Sequence, residues 1–213
     1  MALTLLDYGI GNLRSLEKAF AHEGVEVVRT DDVAAVERAE RLVVPGVGAF
    51  GACAEALGER GLVEPIRDAA ARGVPVLGVC VGMQLLFDGS GEMGEHAGLG
   101  LVPGRVERFA DGLTAGDGSR LKVPHMGWSP LTVSAAGAAS PLLAATRTDD
   151  HVYFVHSYRA ESVNDADVLA WADYGGRFPA IVGRNRVFGV QFHPEKSQSA
   201  GLALLRTFAT LPL

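Results

Sequence analysis

Residues 3–6 are apolar apart from Thr4, and the run breaks at once on Asp7 and Gly9. A short run of this kind, bounded by turn residues, reads as a strand buried on both faces. Leu13, Leu16, Ala19 and Phe20 then recur at three- and four-residue spacing, which is one face of an amphipathic helix. Asn12 is placed to cap that helix and Gly24 to stop it. The alternation continues with a strand over 25–28, a short helix capped by Asp31 or Asp32, and a strand over 41–44. Helical pattern follows from 53 to 72, broken near Gly61, and a very apolar strand over 74–79 ends at Cys80. Repeated strand–helix–strand units with continuously apolar strands predict an α/β fold, its mostly parallel central sheet covered on both faces.

The pattern changes in the second half. Residues 89–100 are glycine-rich and read as a loop. Short β-like runs follow at 105–109, 121–123, 152–155, 168–172, 180–182 and 187–192, with turn residues between them, which predicts an antiparallel extension of the sheet. Ser197 or Ser199 caps a last helix whose apolar face carries Leu202, Leu205 and Phe208. No repeat, low-complexity tract or linker divides the 213 residues, so one domain over 1–213 is expected.

Composition narrows the classes. A net charge of −6 disfavours nucleic acid as the main partner, because phosphate binding wants a basic face. The most apolar stretch, 42–54, is too short to span a bilayer and is interrupted by Pro45, so no membrane role is expected. Two distant cysteines, Cys53 and Cys80, do not make a disulfide framework, and no signal peptide is visible; a cytoplasmic location follows. The six histidines show no ligand spacing with cysteines or paired carboxylates, so no metal is called for.

Chemistry concentrates at two places. A buried strand runs into Gly78-x-Cys80-x-Gly82 and then directly into helical pattern. A sharp turn there lifts a nucleophile out of the sheet, flanking glycines remove crowding side chains, and the N–H groups of the following helix favour thiolate. The competing reading is a buried structural cysteine at a strand end. Far downstream a strand ends in His193, Pro194 and Glu195. With an extended backbone His193 and Glu195 point to one side, giving a base with its own orienter, whereas a solvated ion pair is the plainer alternative. The glycine-rich run after the third strand, with Gly46, Val47 and Gly48, offers backbone N–H groups for an oxyanion; it lacks the Lys and Ser/Thr of a phosphate loop. Nucleophile, base, orienter and oxyanion donors together make an acyl-transfer site. Cys53 reads as a small core residue and His125 as a structural histidine.

These motifs resemble the class I (triad) glutamine amidotransferases, in the order Cys then His-x-Glu, over essentially the whole chain. The resemblance implies that family's flavodoxin-like three-layer fold, a Cys80/His193/Glu195 triad and no cofactor. It also implies glutamine as substrate, held by Gln84 and by Ser157 and Tyr158 beside His156. The weaker motifs at 7–15, 122–128, 152–158 and 193–197 are similar to the glutaminase subunits of imidazole glycerol phosphate synthase. That likeness implies a heterodimer with a (β/α)₈-barrel cyclase subunit that receives ammonia through a channel, with Asn12, Trp128, Tyr153 and Lys196 at the partner surface. Trp128 and Tyr153 are equally readable as core aromatics. Relatives serving anthranilate, pyridoxal phosphate or guanylate synthesis, a free-standing cysteine hydrolase and a vestigial binding subunit are the rival readings.

Overall fold

The computed structural model describes residues 2–212. In the first half, strands β1 (Ala2–Leu6), β2 (Glu26–Thr30), β3 (Leu42–Val44) and β4 (Val76–Val79) alternate with helices. These are α1 (Leu13–His22), α2 (Val33–Glu37), α3 (Phe50–Glu59) and α4 (Val63–Ala71). The single helical turn α5 (Val81–Gln84) follows β4. Short strands β5 (Gly89–Ser90), β6 (His96–Ala97) and β7 (Arg105–Arg108) come next. After them lie β8 (His125–Pro130), β9 (Thr132–Val133), α6 (Ala135–Ala139), β10 (His151–His156) and β11 (Tyr158–Glu161). The chain closes with β12 (Val168–Asp173), β13 (Arg177–Arg184), β14 (Val187–Val190) and α7 (Gln198–Ala209).

The main sheet has eight strands in the order β2-β1-β3-β4-β14-β13-β12-β9. From β2 to β14 every pairing is parallel, and from β14 to β9 every pairing is antiparallel. β3, β4 and β14 are buried at every position, as strands covered on both faces must be. Helix α1 packs beside α7, and α2 beside α4, so the apolar stripes of the helices close over the sheet. Two smaller sheets, β10-β8 and β11-β7-β5-β6, flank it. β1, β3, β4 and β14 run side by side in one direction, so residues just past their carboxyl ends meet at one edge. Open parallel sheets bind ligands at that edge. Among the described residues no helix is long and apolar enough to cross a membrane.

Several expectations need correction. Residues 121–123 form no strand: the Leu121 N–H closes a loop onto Leu113 O at 2.8 Å, and the ladder begins past Pro124, which has no N–H to give. The β14 ladder ends at Val190 rather than at 192. The 89–100 loop contains β5 and β6. In α7 the buried stripe is Gly201, Leu204, Leu205, Phe208 and Ala209, with Leu202 only partly covered. Asp32 caps α2, its carboxylate accepting the Ala34 N–H at 3.0 Å. Asn12 and Ser197 stand at cap positions but spend their side chains elsewhere.

Candidate active site

Cys80 sits between β4 and α5 with φ 56° and ψ −113°, a left-handed backbone that a non-glycine residue holds only under constraint. Two constraints are visible. Its N–H still bonds Val190 O on β14 at 2.8 Å, and the turn is pressed onto the neighbouring strand, since a Cβ on Gly82 would fall 1.9 Å from Val44 O. The flanking glycine is therefore there for close backbone approach. The helix behind the turn is one turn long, so the expected macrodipole support shrinks to its first N–H groups.

His193 and Glu195 follow β14. The backbone is extended only as far as His193, and Pro194, Glu195 and Lys196 form a 3₁₀ turn, so the expected extended arrangement does not hold. The turn itself closes the contact: His193 Nδ1 lies 2.9 Å from Glu195 Oε1. The same oxygen accepts the Asn12 side-chain N–H at 2.8 Å. The His193 and Glu195 side chains are nearly inaccessible, at 5% and 1%. Burial alone would lower the His193 pKa, but hydrogen bonds to Cys80 and Glu195 and the attraction of both outweigh it and raise the pKa to about 9. Burial would likewise raise Glu195, yet His193 and Asn12 hold its carboxyl below the usual range. Ser197 secures the turn: its hydroxyl donates to His193 O at 2.7 Å and accepts the Tyr153 N–H at 3.0 Å.

A cleft of about 370 Å³ opens over Cys80 and His193. Val47, Gly48, Gln84, Ser157, Tyr158 and Lys196 line it, so most of the sequence-picked residues converge there. Gly46 lies behind the wall, where a Cβ would come within 2.5 Å of the Gly82 nitrogen. Gln84 donates from Nε2 to Tyr158 O and to Gln191 Oε1, both at 3.1 Å. Its amide nitrogen is thus committed to the wall, and only its oxygen is left for a ligand.

The wall is braced from behind. His156 Nδ1 donates to Tyr158 O at 2.8 Å, its Nε2 accepts from His125 Nδ1 at 3.2 Å, and His125 Nε2 accepts the Ser129 hydroxyl at 3.0 Å. This chain closes with both rings neutral, and burial does lower His125 to about 4 and His156 to about 3. His125 is further clamped between the rings of Phe154 and Tyr174.

Glu92 was not legible as a site residue. It sits in the glycine-rich stretch with no motif around it, yet it lines the cleft, with Oε2 accepting the Phe50 N–H at 2.7 Å. Trp128 is 45% exposed and Met126 63% exposed, so Trp128 is no core residue. Tyr153 packs edge-on against Trp128, and the Lys196 ammonium lies 5.8 Å over its ring. Asn12 is partly buried and turned toward Glu195.

The family model described as glutamine amidotransferase class-I matches residues 4–210. The "Imidazole glycerol phosphate synthase subunit HisH" of Salinibacter ruber is 56% identical over 209 residues, covering 98% of this chain and 94% of its own. The subunit of the same name from Syntrophotalea carbinolica is 45% identical, covering 98% of this chain and 100% of its own. A crystal structure titled as a glutamine amidotransferase superposes with TM-score 0.73 at 22% identity, covering 97% of this chain and 96% of that one. PurLQS from Thermotoga maritima superposes with TM-score 0.72 at 20% identity, covering 96% and 94%. These two likenesses are of fold alone. The chain belongs to the class I glutamine amidotransferases and, within them, to the HisH subunits of imidazole glycerol phosphate synthase.

Proposed function

We propose that the cleft hydrolyses glutamine, with Cys80 as nucleophile, His193 as proton carrier and Glu195 as orienter. The observation that carries this reading is the Nδ1 contact of His193 with Glu195, which leaves Nε2 as the ring nitrogen for the thiol of a strained strand-end cysteine. The Cys80 proton passes to His193, and sulfur attacks the side-chain amide carbon. Val47 N–H and the N–H following Cys80 receive the oxyanion. The imidazolium returns its proton to the departing nitrogen, so ammonia leaves and a glutamyl thioester remains. Water then gives His193 a proton as its oxygen attacks the thioester, and glutamate is released with the thiol restored.

Substrate recognition follows from the wall. Glu92 brings a carboxylate to face an α-ammonium group, while the Gln84 oxygen and the backbone of Ser157 and Tyr158 offer further polar contacts. We further propose, on the resemblance carried by the sequence motifs, that the chain works in the cytoplasm as the glutaminase half of a heterodimer and passes ammonia to a (β/α)₈-barrel cyclase subunit. That partner would dock on the exposed face carrying Trp128, with Tyr153, Lys196 and Asn12 near it.

Cys80→Ala tests the assignment. The variant, assembled with the cyclase, is expected to lose glutamine-dependent synthesis by at least about a thousandfold while keeping the ammonium-dependent rate, because only the thioester step needs sulfur. Substantial residual glutaminase activity would remove Cys80 from the mechanism.

A further inference from the structure

Two buried side chains outside the triad hold the backbone of the glycine-rich loop. The Tyr8 hydroxyl donates to Pro45 O, and the Cys53 thiol donates to Val47 O at 3.4 Å. Tyr8 and Cys53 are each 0% exposed. Tyr8 comes from the turn after β1 and Cys53 from the first turn of α3, so two separate elements grip one five-residue loop. Burial raises the pKa of both, and they remain protonated donors across the physiological range.

The peptides of this loop are trans, so each carbonyl points opposite to the N–H that follows it. Fixing Pro45 O toward Tyr8 turns the Gly46 N–H away from it. Fixing Val47 O toward Cys53 turns the Gly48 N–H away from the core, on the side where Gly48 lines the cleft. The Gly46–Val47 peptide lies between these two. Neither its carbonyl nor its N–H is hydrogen-bonded among the described residues. Sliding of the loop is blocked as well, because Gly46 already abuts the Gly82 backbone.

We infer that Tyr8 and Cys53 are positioning residues that clamp the Pro45–Gly46 and Val47–Gly48 peptides, confining rotation to the Gly46–Val47 peptide and setting where its N–H meets the oxyanion. The inference rests on the glutaminase reading above and extends it to two residues that touch no substrate. Loss of one clamp lets a flanking peptide share the rotation, so the Val47 N–H spends less time on the oxyanion. That weakens the transition state and leaves ground-state binding nearly alone.

The test measures kcat and KM for glutamine in the complex with the cyclase subunit, for Tyr8→Phe, Cys53→Val and Cys53→Ser. Tyr8→Phe and Cys53→Val remove a donor and keep the volume; each is expected to lower kcat by about three- to tenfold, the worth of roughly one net hydrogen bond, with KM changed less than about twofold. Cys53→Ser keeps a donor and is expected to stay within about twofold of the parent. The ammonium-dependent rate should be unchanged in all three. Wild-type kcat in Tyr8→Phe and Cys53→Val, or an equal loss in Cys53→Ser and Cys53→Val, would overturn the clamp. If Cys53→Val does not fold, Tyr8→Phe, which keeps the ring, decides alone. A parent complex without glutaminase activity would instead overturn the glutaminase reading.

Discussion

His193, His125 and His156 lie within one wall and are driven in opposite directions by their partners. His193 faces Glu195 and Cys80, and its pKa rises to about 9 because those attractions exceed the cost of burial. His125 and His156 hydrogen-bond only each other, a hydroxyl and a carbonyl; burial dominates, repulsion from His193 and Arg159 adds to it at His156, and they fall to about 4 and 3. The signs of the resulting stability changes differ. For His193 the folded pKa lies above the unfolded one, so its contribution is complete below about pH 6.5 and fades as pH rises toward 9. For His125 and His156 the folded state excludes a proton that the unfolded chain takes up, so stability is lost as pH falls from about 6.5 toward 4. Urea unfolding should therefore show a maximum near neutrality and a loss on the order of 3 kcal/mol from each of these two histidines, about 6 kcal/mol in all, by pH 4. The variant His125→Gln should start lower, having lost its bond to His156, but show a shallower acid limb. An unfolding free energy that is flat from pH 6.5 to 4.5, or an identical slope in the variant, would contradict the neutral-pair account.

The elbow between β4 and α5 exists because three backbones pass closer than side chains permit. A Cβ on Gly82 would meet Val44 O at 1.9 Å, and backbone cannot step aside as a flexible side chain does. Gly82→Ala should thus cost at least about 2 kcal/mol or prevent folding, as overpacking does. Gly58, inside α3 with nothing within 4 Å of its would-be Cβ, supplies the control. Gly58→Ala should stabilise by about 0.5–1 kcal/mol through reduced freedom of the unfolded chain. Equal effects of the two substitutions in urea unfolding would refute the close-approach argument. The elements that were legible beforehand share this dense environment: β3 and β4 announce themselves because burial on both faces demands apolar runs, and β1 does so with Thr4 as its one polar position. The pattern failed at β8. There the inward positions are His125 and Ser129 and the outward ones Met126 and Trp128, the reverse of the usual code. The inward polar groups are affordable only because His156 and Ser129 satisfy His125, which no periodicity reveals. The site was legible where motif and strand end coincide, at Cys80 and His193, and hidden where a side chain arrives from elsewhere. Glu92 and the Asn12–Glu195 bond are of that second kind, joined across 183 residues in the latter case.

At the scale of the whole molecule, release of ammonia is useful only when an acceptor is ready, so the chain alone should be nearly silent and its docked partner should switch it on. The fold offers a route. The antiparallel β10-β8 pair carries the exposed Met126 and Trp128 on its outer side, and its β10 strand supplies Val155 and His156 to the cleft. A protein covering those apolar side chains therefore presses on the wall that Gln84 and Tyr158 complete. Opposite that wall, the Gly46–Val47 peptide is unbonded among the described residues, and glycine turns at little conformational cost. An oxyanion donor is worth roughly 3–4 kcal/mol, or about a hundred- to a thousandfold in rate, so aiming this N–H at the oxyanion would carry that much. One peptide rotation would then account for activation of that size with Cys80, His193 and Glu195 unmoved. The measurement compares glutamine turnover by the isolated chain, by its complex with the cyclase, and by that complex with a ligand in the cyclase site. The rate should rise at each step, and chiefly in kcat, because the oxyanion appears only in the transition state. A rise confined to KM would point to rearranged substrate binding instead, and equal rates in all three would mean that the cleft works without reference to any partner.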